Sequence, residues 1–67
     1  MTQINLTGSD GNAFSLLGYA KKFAKQLDLD ANLIISEMTQ GDYEHLLDTF
    51  EKHFGDFVEL VGRDDDN

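Results

Sequence analysis

The sequence predicts a small α+β domain in which three helices lie between two short terminal strands, in the order β-α-α-α-β. Three observations predict it. Apolar residues recur at helical spacing in three stretches, polar and apolar residues alternate near the start, and a β-branched and aromatic run follows a glycine near the end. Because 67 residues suffice for one domain only, we place it at residues 1–61 and expect residues 62–67, an acidic tail, to be disordered.

The first strand is predicted at residues 3–7. Polar and apolar side chains alternate there, and the alternation places Ile4 and Leu6 on one face. Residues 8–12 follow, and all five are residues that favour turns or cap helices. The chain therefore turns sharply before the first helix begins.

The first helix is predicted at residues 13–27, where an apolar stripe recurs at helical spacing. Gly18 is unfavourable inside a helix, so we interpret it as the mark of a close helix crossing. Phe14 lies off the stripe, beside Lys21 and Lys25. This position makes Phe14 a candidate contact residue.

The second helix is predicted at residues 31–39, with Asp28 or Asp30 as its N-terminal cap. The same acids, together with Asn32, match the first three ligand positions of a calcium-binding loop. Leu33 then stands where that loop requires glycine, so we favour helix capping and expect no metal.

The third helix carries the clearest apolar face in the chain. Five apolar or aromatic residues recur at i, i+3, i+4, i+7 and i+11: Tyr43, Leu46, Leu47, Phe50 and Phe54. Asp42 or Thr39 can cap the start of this helix. Gly55 is predicted to end it in the left-handed conformation, which glycine adopts without strain.

The second strand is predicted at residues 56–61, which are rich in β-branched and aromatic side chains. Alternation places Val58 and Leu60 on one face of this strand. The other face carries Phe57, Glu59 and Val61.

The charge of the chain is lopsided. Residues 1–27 carry a net charge of +2 and residues 28–67 carry −10, which together give the total of −8. Such a surface repels nucleic acid and acidic membranes and favours basic partners. The alternative is that the acidity serves solubility alone. The chain has no cysteine and no catalytic motif, so we expect neither an enzyme nor a cofactor.

Three segments of the chain resemble small acidic proteins encoded by tailed phages and prophages. They read INLTGSDGNAF at residues 4–14, GDYEHL at residues 41–46 and FGDFVEL at residues 54–60. That group has no established activity, so no functional residue can be transferred from it. The resemblance implies a phage setting and therefore the cytoplasm of a host cell. Small acidic phage proteins are often inhibitors of host enzymes or defence systems, sometimes by imitating DNA.

The candidate site is a row of carboxylates on the third helix. Glu44, Asp48 and Glu51 fall on one flank of the helix, and successive carboxylates stand about 5–6 Å apart along its axis. Four further acids are predicted to extend this row into a partner-binding face: Glu37, Asp42, Asp56 and Glu59. We expect the face to bind a basic or nucleic-acid-binding host protein. The alternative is an ordinary solvated surface.

Two other arrangements in the sequence are weaker candidates than this row. His45 and His53 stand about 12 Å apart along the third helix, too far to share a metal ion. His53 could pair with Asp56, but no nucleophile accompanies them, so we predict no catalytic residue. The other arrangement combines three lysines with a tyrosine as a site for a small ligand: Lys21, Lys22, Lys25 and Tyr19.

The sequence also predicts self-association as a homodimer. Two strands of about five residues make a marginal sheet, and each leaves an edge of unpaired backbone groups beside apolar side chains. Pairing these edges between two chains would extend the sheet and enlarge a thin core. We expect sedimentation at tens of micromolar to report a dimer, and a monomer under those conditions would contradict the prediction.

Overall fold

The computed structural model describes residues 2–63, and it confirms the predicted α+β fold and the order of its elements. The elements are β1 (Thr2–Asn5), α1 (Ala13–Gln26), α2 (Ala31–Met38), α3 (Tyr43–Phe54) and β2 (Val58–Val61). Both strands are shorter than predicted, and β1 begins one residue earlier. Among the described residues, no helix combines the length and the apolar character that crossing a membrane requires.

The two strands pair with each other in parallel, and they form a two-stranded sheet. Ile4 lies opposite Leu60, and both side chains are buried together with Val58. On the outer face, the amide of Gln3 donates a hydrogen bond to the carboxylate of Glu59 over 3.1 Å. Parallel strands need a long crossover connection, and the three helices provide it.

Each helix begins at a side chain that caps it. Asn12, Asp30 and Asp42 each accept a hydrogen bond from the backbone N–H three residues further on, over 2.9, 3.2 and 2.9 Å respectively. These bonds satisfy N–H groups that have no partner within the helix. The structure therefore selects Asp30 and Asp42 from the alternatives that the sequence left open.

The left-handed conformation that was predicted after α3 occurs instead after α1. Asp28 adopts a φ of 60° after α1, and the N–H of Leu29 reaches the carbonyl oxygen of Ala24 over 2.8 Å, as in a Schellman motif. The left-handed conformation predicted for Gly55 is wrong, because its φ is −61° and its ψ is −22°. Glycine is nevertheless required there, since a Cβ atom would stand 2.5 Å from the carbonyl oxygen of Glu51.

The core is built around aromatic side chains of α1 and α3. The rings of Phe50 and Phe54 are fully buried, with centroids 5.0 Å apart. Phe23 of α1 packs against both, at 6.4 Å from Phe50 and 5.9 Å from Phe54. Aliphatic side chains surround these rings, and the buried ones include Ile4, Leu16, Ile34, Met38, Leu46, Leu47 and Leu60.

Three residues show where the helical pattern was incomplete. Tyr43, assigned to the apolar face of α3, is 37% exposed, because as the first residue of the helix it lies at the margin of the core. Gly18 marks no helix crossing, since a Cβ atom there would have no neighbouring atom within 4 Å. Phe14 projects into solvent and is 88% exposed, as its position off the stripe indicates.

The central position of Phe50 predicts a large effect of truncation. We expect Phe50→Ala to lower the free energy of unfolding by about 3–5 kcal/mol, the usual loss for a buried aromatic residue. Such a loss is a large share of the total stability of a small domain, about 5–15 kcal/mol. Thermal unfolding followed by circular dichroism measures it. Phe14→Ala is the matched control, and equal melting temperatures for the two variants would contradict the described core.

Candidate functional site

The carboxylates of Glu44, Asp48 and Glu51, which we call the acidic cluster, all contact the guanidinium group of Arg63. Nη2 of Arg63 donates to Asp48 over 2.5 Å and to Glu44 over 3.1 Å, while Nη1 donates to Glu51 over 2.5 Å. The three acids lie on one flank of α3 because residues three and four apart in a helix are neighbours. The three carboxylates therefore form a row on α3 as predicted, and one arginine contacts all of them.

The turn after β2 delivers Arg63 to this position. Gly62 adopts a φ of 83°, a conformation that favours glycine. A Cβ atom there would lie 2.7 Å from Cγ2 of Thr7. Thr7 is itself held, because its N–H and hydroxyl groups both donate to the side chain of Asn5, over 2.9 and 2.6 Å. The turn is therefore fixed by the end of β1 as well as by glycine.

Arg63 was missed by the sequence reasoning, which assigned it to a disordered tail. The structure describes residues 62 and 63, and it places Arg63 against the acidic cluster. Residues 64–67, the rest of the predicted tail, lie outside the described residues. One signal was available: Arg63 follows an apolar strand with only Gly62 between them, and it is the single arginine of the chain.

The carboxylates of the acidic cluster are exposed to solvent, whereas the arginine that contacts them is largely buried. The side chains of Glu44, Asp48 and Glu51 are 56%, 68% and 42% exposed, and that of Arg63 is 11% exposed. Hydrogen bonding to Asp48 raises the pKa of Arg63 above its ordinary value, although burial acts in the opposite direction. Three negative charges and one positive charge leave a net charge of −2 at the cluster. Within the part of the chain that the structure describes, Nε of Arg63 is buried and has no hydrogen-bond partner.

Glu37 of α2 was predicted to extend the row, but it contacts the opposite flank of α3. Its carboxylate accepts a hydrogen bond from Nζ of Lys52 over 3.1 Å and contacts Nε2 of His53 over 2.7 Å. The predicted pairing of His53 with Asp56 is therefore replaced by a contact with α2. Glu37 joins α2 to α3 and does not share a surface with the acidic cluster.

The remaining predicted acids have separate positions. Asp42 caps the start of α3, Asp56 is exposed in the turn that leads to β2, and Glu59 is exposed on β2, where it bonds to Gln3. The structure thus brings together three of the seven predicted site residues. Within residues 2–63, none of the other four is joined to the acidic cluster by a shared hydrogen-bond partner.

The lysines proposed for a small ligand are only partly assembled. Tyr19 and Lys22 line an open depression of about 310 Å³, but Lys21 and Lys25 do not. Asp10 lies in the same depression and accepts a hydrogen bond from the hydroxyl of Tyr19 over 3.1 Å, which raises the pKa of that tyrosine. A carboxylate at this position would oppose an anionic ligand.

The two histidines have structural partners. Nε2 of His45 donates to the carbonyl oxygen of Glu37 over 2.9 Å, and His53 contacts the carboxylate of the same residue. Within residues 2–63, no three histidine or acidic side chains are placed so that they could hold a metal ion. Both histidines therefore stabilise the contact between α2 and α3.

Comparison with known proteins found no family model, no curated protein and no solved structure that matches this chain. The resemblance to small acidic phage proteins therefore stays a prediction. The function has to be argued from the charges and contacts described above.

The contacts of Glu37 predict a dependence of stability on acid pH. Hydrogen bonding from His53, and then from Lys52, lowers the pKa of Glu37 below its ordinary value of 4.5. A carboxyl group whose pKa is lower in the folded chain stabilises the fold above its unfolded pKa. That contribution is lost as the pH falls through the folded value.

We therefore expect Glu37→Gln to melt below the parent at pH 7, and the two melting temperatures to converge as the pH falls well below 4.5. Glu59→Gln is the control, since Glu59 bonds to an uncharged residue. Thermal unfolding measured from pH 7 to pH 2.5 checks the prediction. A constant difference between the parent and Glu37→Gln across that range would contradict it.

Proposed function

We propose that this chain is a non-enzymatic binding protein whose acidic cluster engages a basic surface of a host protein. One observation carries the proposal: the three carboxylates of Glu44, Asp48 and Glu51 are held in place by Arg63 and remain 42–68% exposed. Carboxylates that converge on one point and remain exposed can also be reached by a cationic group of another protein. The cluster is therefore suited to recognition.

The overall charge supports the same proposal. The net charge of −8 attracts basic proteins over a distance and accelerates their association, and it repels nucleic acid and acidic membranes. The net charge of −2 left at the cluster by Arg63 supplies the local attraction. We therefore propose a basic protein as the partner, without direct binding to nucleic acid or a membrane.

A nucleic-acid-binding host protein is the partner class that we favour. Carboxylates one helical turn apart, about 5–6 Å along the axis, present anions at a spacing comparable to that of phosphates in a nucleic-acid backbone. The resemblance to small acidic phage proteins supports an inhibitor of a host enzyme or defence system, acting in the host cytoplasm. In this proposal the cluster occupies part of a surface that otherwise contacts phosphates.

The rival function is a structural or assembly role in which the acidity serves solubility alone. One observation favours it, because every carboxylate of the acidic cluster already has a partner within the chain. The two functions differ in their response to salt. Binding that is steered by exposed charge weakens steeply as ionic strength rises, whereas apolar assembly contacts do not.

Self-association is proposed as a separate property. Within residues 2–63 the sheet contains two strands, so β1 and β2 each keep one edge without a neighbouring strand. Phe57 is 52% exposed beside the start of β2 and offers apolar surface for a second copy.

The function is tested by the combined substitution Glu44→Gln, Asp48→Asn and Glu51→Gln. We expect affinity for the natural partner, captured from host lysate with the parent protein, to fall at least about tenfold and to lose much of its salt dependence. The control replaces Asp64, Asp65 and Asp66 with Asn, which changes the net charge equally, from −8 to −5. An equal loss of binding in both variants, or no loss of binding in either variant, would contradict the proposal.

The folding of the cluster variant must be measured alongside its binding. The three substitutions leave the largely buried Arg63 without charged partners, so we expect a loss of about 1–2 kcal/mol in the free energy of unfolding. Circular dichroism shows whether the variant is folded at the assay temperature. Binding is then compared only under conditions in which both variants are folded.

A further inference from the structure

The acidic cluster already holds a ligand group, because the guanidinium of Arg63 occupies it. Its two terminal nitrogens reach one oxygen from each of three carboxylates, so the fixed fork of the guanidinium joins three acids without a bidentate bond to any one of them. The contact therefore shows that the acidic cluster accepts a guanidinium group. A guanidinium of another protein would meet the same oxygens.

The contact made by Arg63 is incomplete, and this makes it exchangeable. Its Nε is buried and has no hydrogen-bond partner among residues 2–63, which offsets part of what the ion pairs contribute. All three carboxylates are more than two-fifths exposed, so solvent screens the pairs. The exposed part of each carboxylate is surface that a second guanidinium can reach.

Arg63 is also placed by a turn that few residues could form. Gly62 combines a φ of 83° with a site where a Cβ atom would lie 2.7 Å from Thr7. An alanine at this position would be strained and would push the turn away from β1. The contact between Arg63 and the cluster can therefore be weakened without changing any charge.

We propose that Arg63 is an internal competitor for the acidic cluster, and that an arginine of the partner displaces it on binding. This inference rests on the proposed function, since it concerns the regulation of the same site. The turn at residues 62–63 then sets the affinity of the cluster: while Arg63 is in place the cluster is closed, and a guanidinium in trans must compete with it.

The test measures the binding of a fluorescent hexa-arginine peptide at low ionic strength by anisotropy. If Arg63 closes the cluster nine-tenths of the time, its removal raises the apparent affinity about tenfold. We therefore expect Arg63→Gln to bind the peptide about tenfold more tightly than the parent. The matched control is Lys52→Gln, which also takes the net charge from −8 to −9 but removes a cation that pairs with Glu37.

A second variant separates competition from charge. Gly62→Ala leaves the net charge at −8 and displaces the turn, so we expect it to bind the peptide more tightly than the parent as well. A hexalysine peptide should gain less than hexa-arginine, because an ammonium group cannot reproduce the two-nitrogen contact. Circular dichroism of each variant verifies that it is folded.

The outcomes are distinct. Tighter binding by Arg63→Gln and Gly62→Ala, with Lys52→Gln unchanged to within about twofold, supports the inference. Equal gains in Arg63→Gln and Lys52→Gln, no gain in any variant, or no binding by any of them, overturns it. The proposed function falls separately, if the natural partner is captured as well by the triple variant of the acidic cluster as by the parent.

Discussion

The packing of Phe23 against Phe50 and Phe54 is the contact on which the rest of the molecule depends. It joins α1 to α3, and both α3 rings are fully buried. This apolar face fixes the rotation of α3 about its axis. One flank then meets Glu37 of α2 and the other meets Arg63 after β2. The positions of all charged groups on α3 therefore follow from three aromatic side chains.

Much of the fold could be predicted from the sequence because its determinants are local. Helical spacing identified Phe50 as a core residue, and the caps at Asn12 and Asp42 follow from side chains that bond to nearby N–H groups. The conformation of Gly55 could not be predicted in the same way. Glycine permits a left-handed residue, but here the close approach of the Glu51 carbonyl requires it in a right-handed turn.

The candidate site was predictable only in part, because its contacts join distant positions. The row on α3 follows from helical spacing, whereas the partner of that row stands 12 to 19 residues further along the chain. Sequence reasoning also assigned Glu37 to the same face, since spacing within α2 does not tell how α2 is placed against α3. Glu37 and Arg63 contact opposite flanks of α3, and only the tertiary structure distinguishes these two positions.

The pairing of β1 with β2 has a kinetic consequence. Gln3 and Glu59 are 56 positions apart, so their strands meet only after a long loop has closed, whereas the helices form from contacts between near neighbours. A sheet that forms late affects the rate of unfolding more than the rate of folding. Because β2 leads directly to Gly62 and Arg63, the opening of the sheet also releases the arginine. We therefore expect the time for which Arg63 stays in contact with the acidic cluster to depend in part on residues such as Ile4, which lie in the core and outside the cluster.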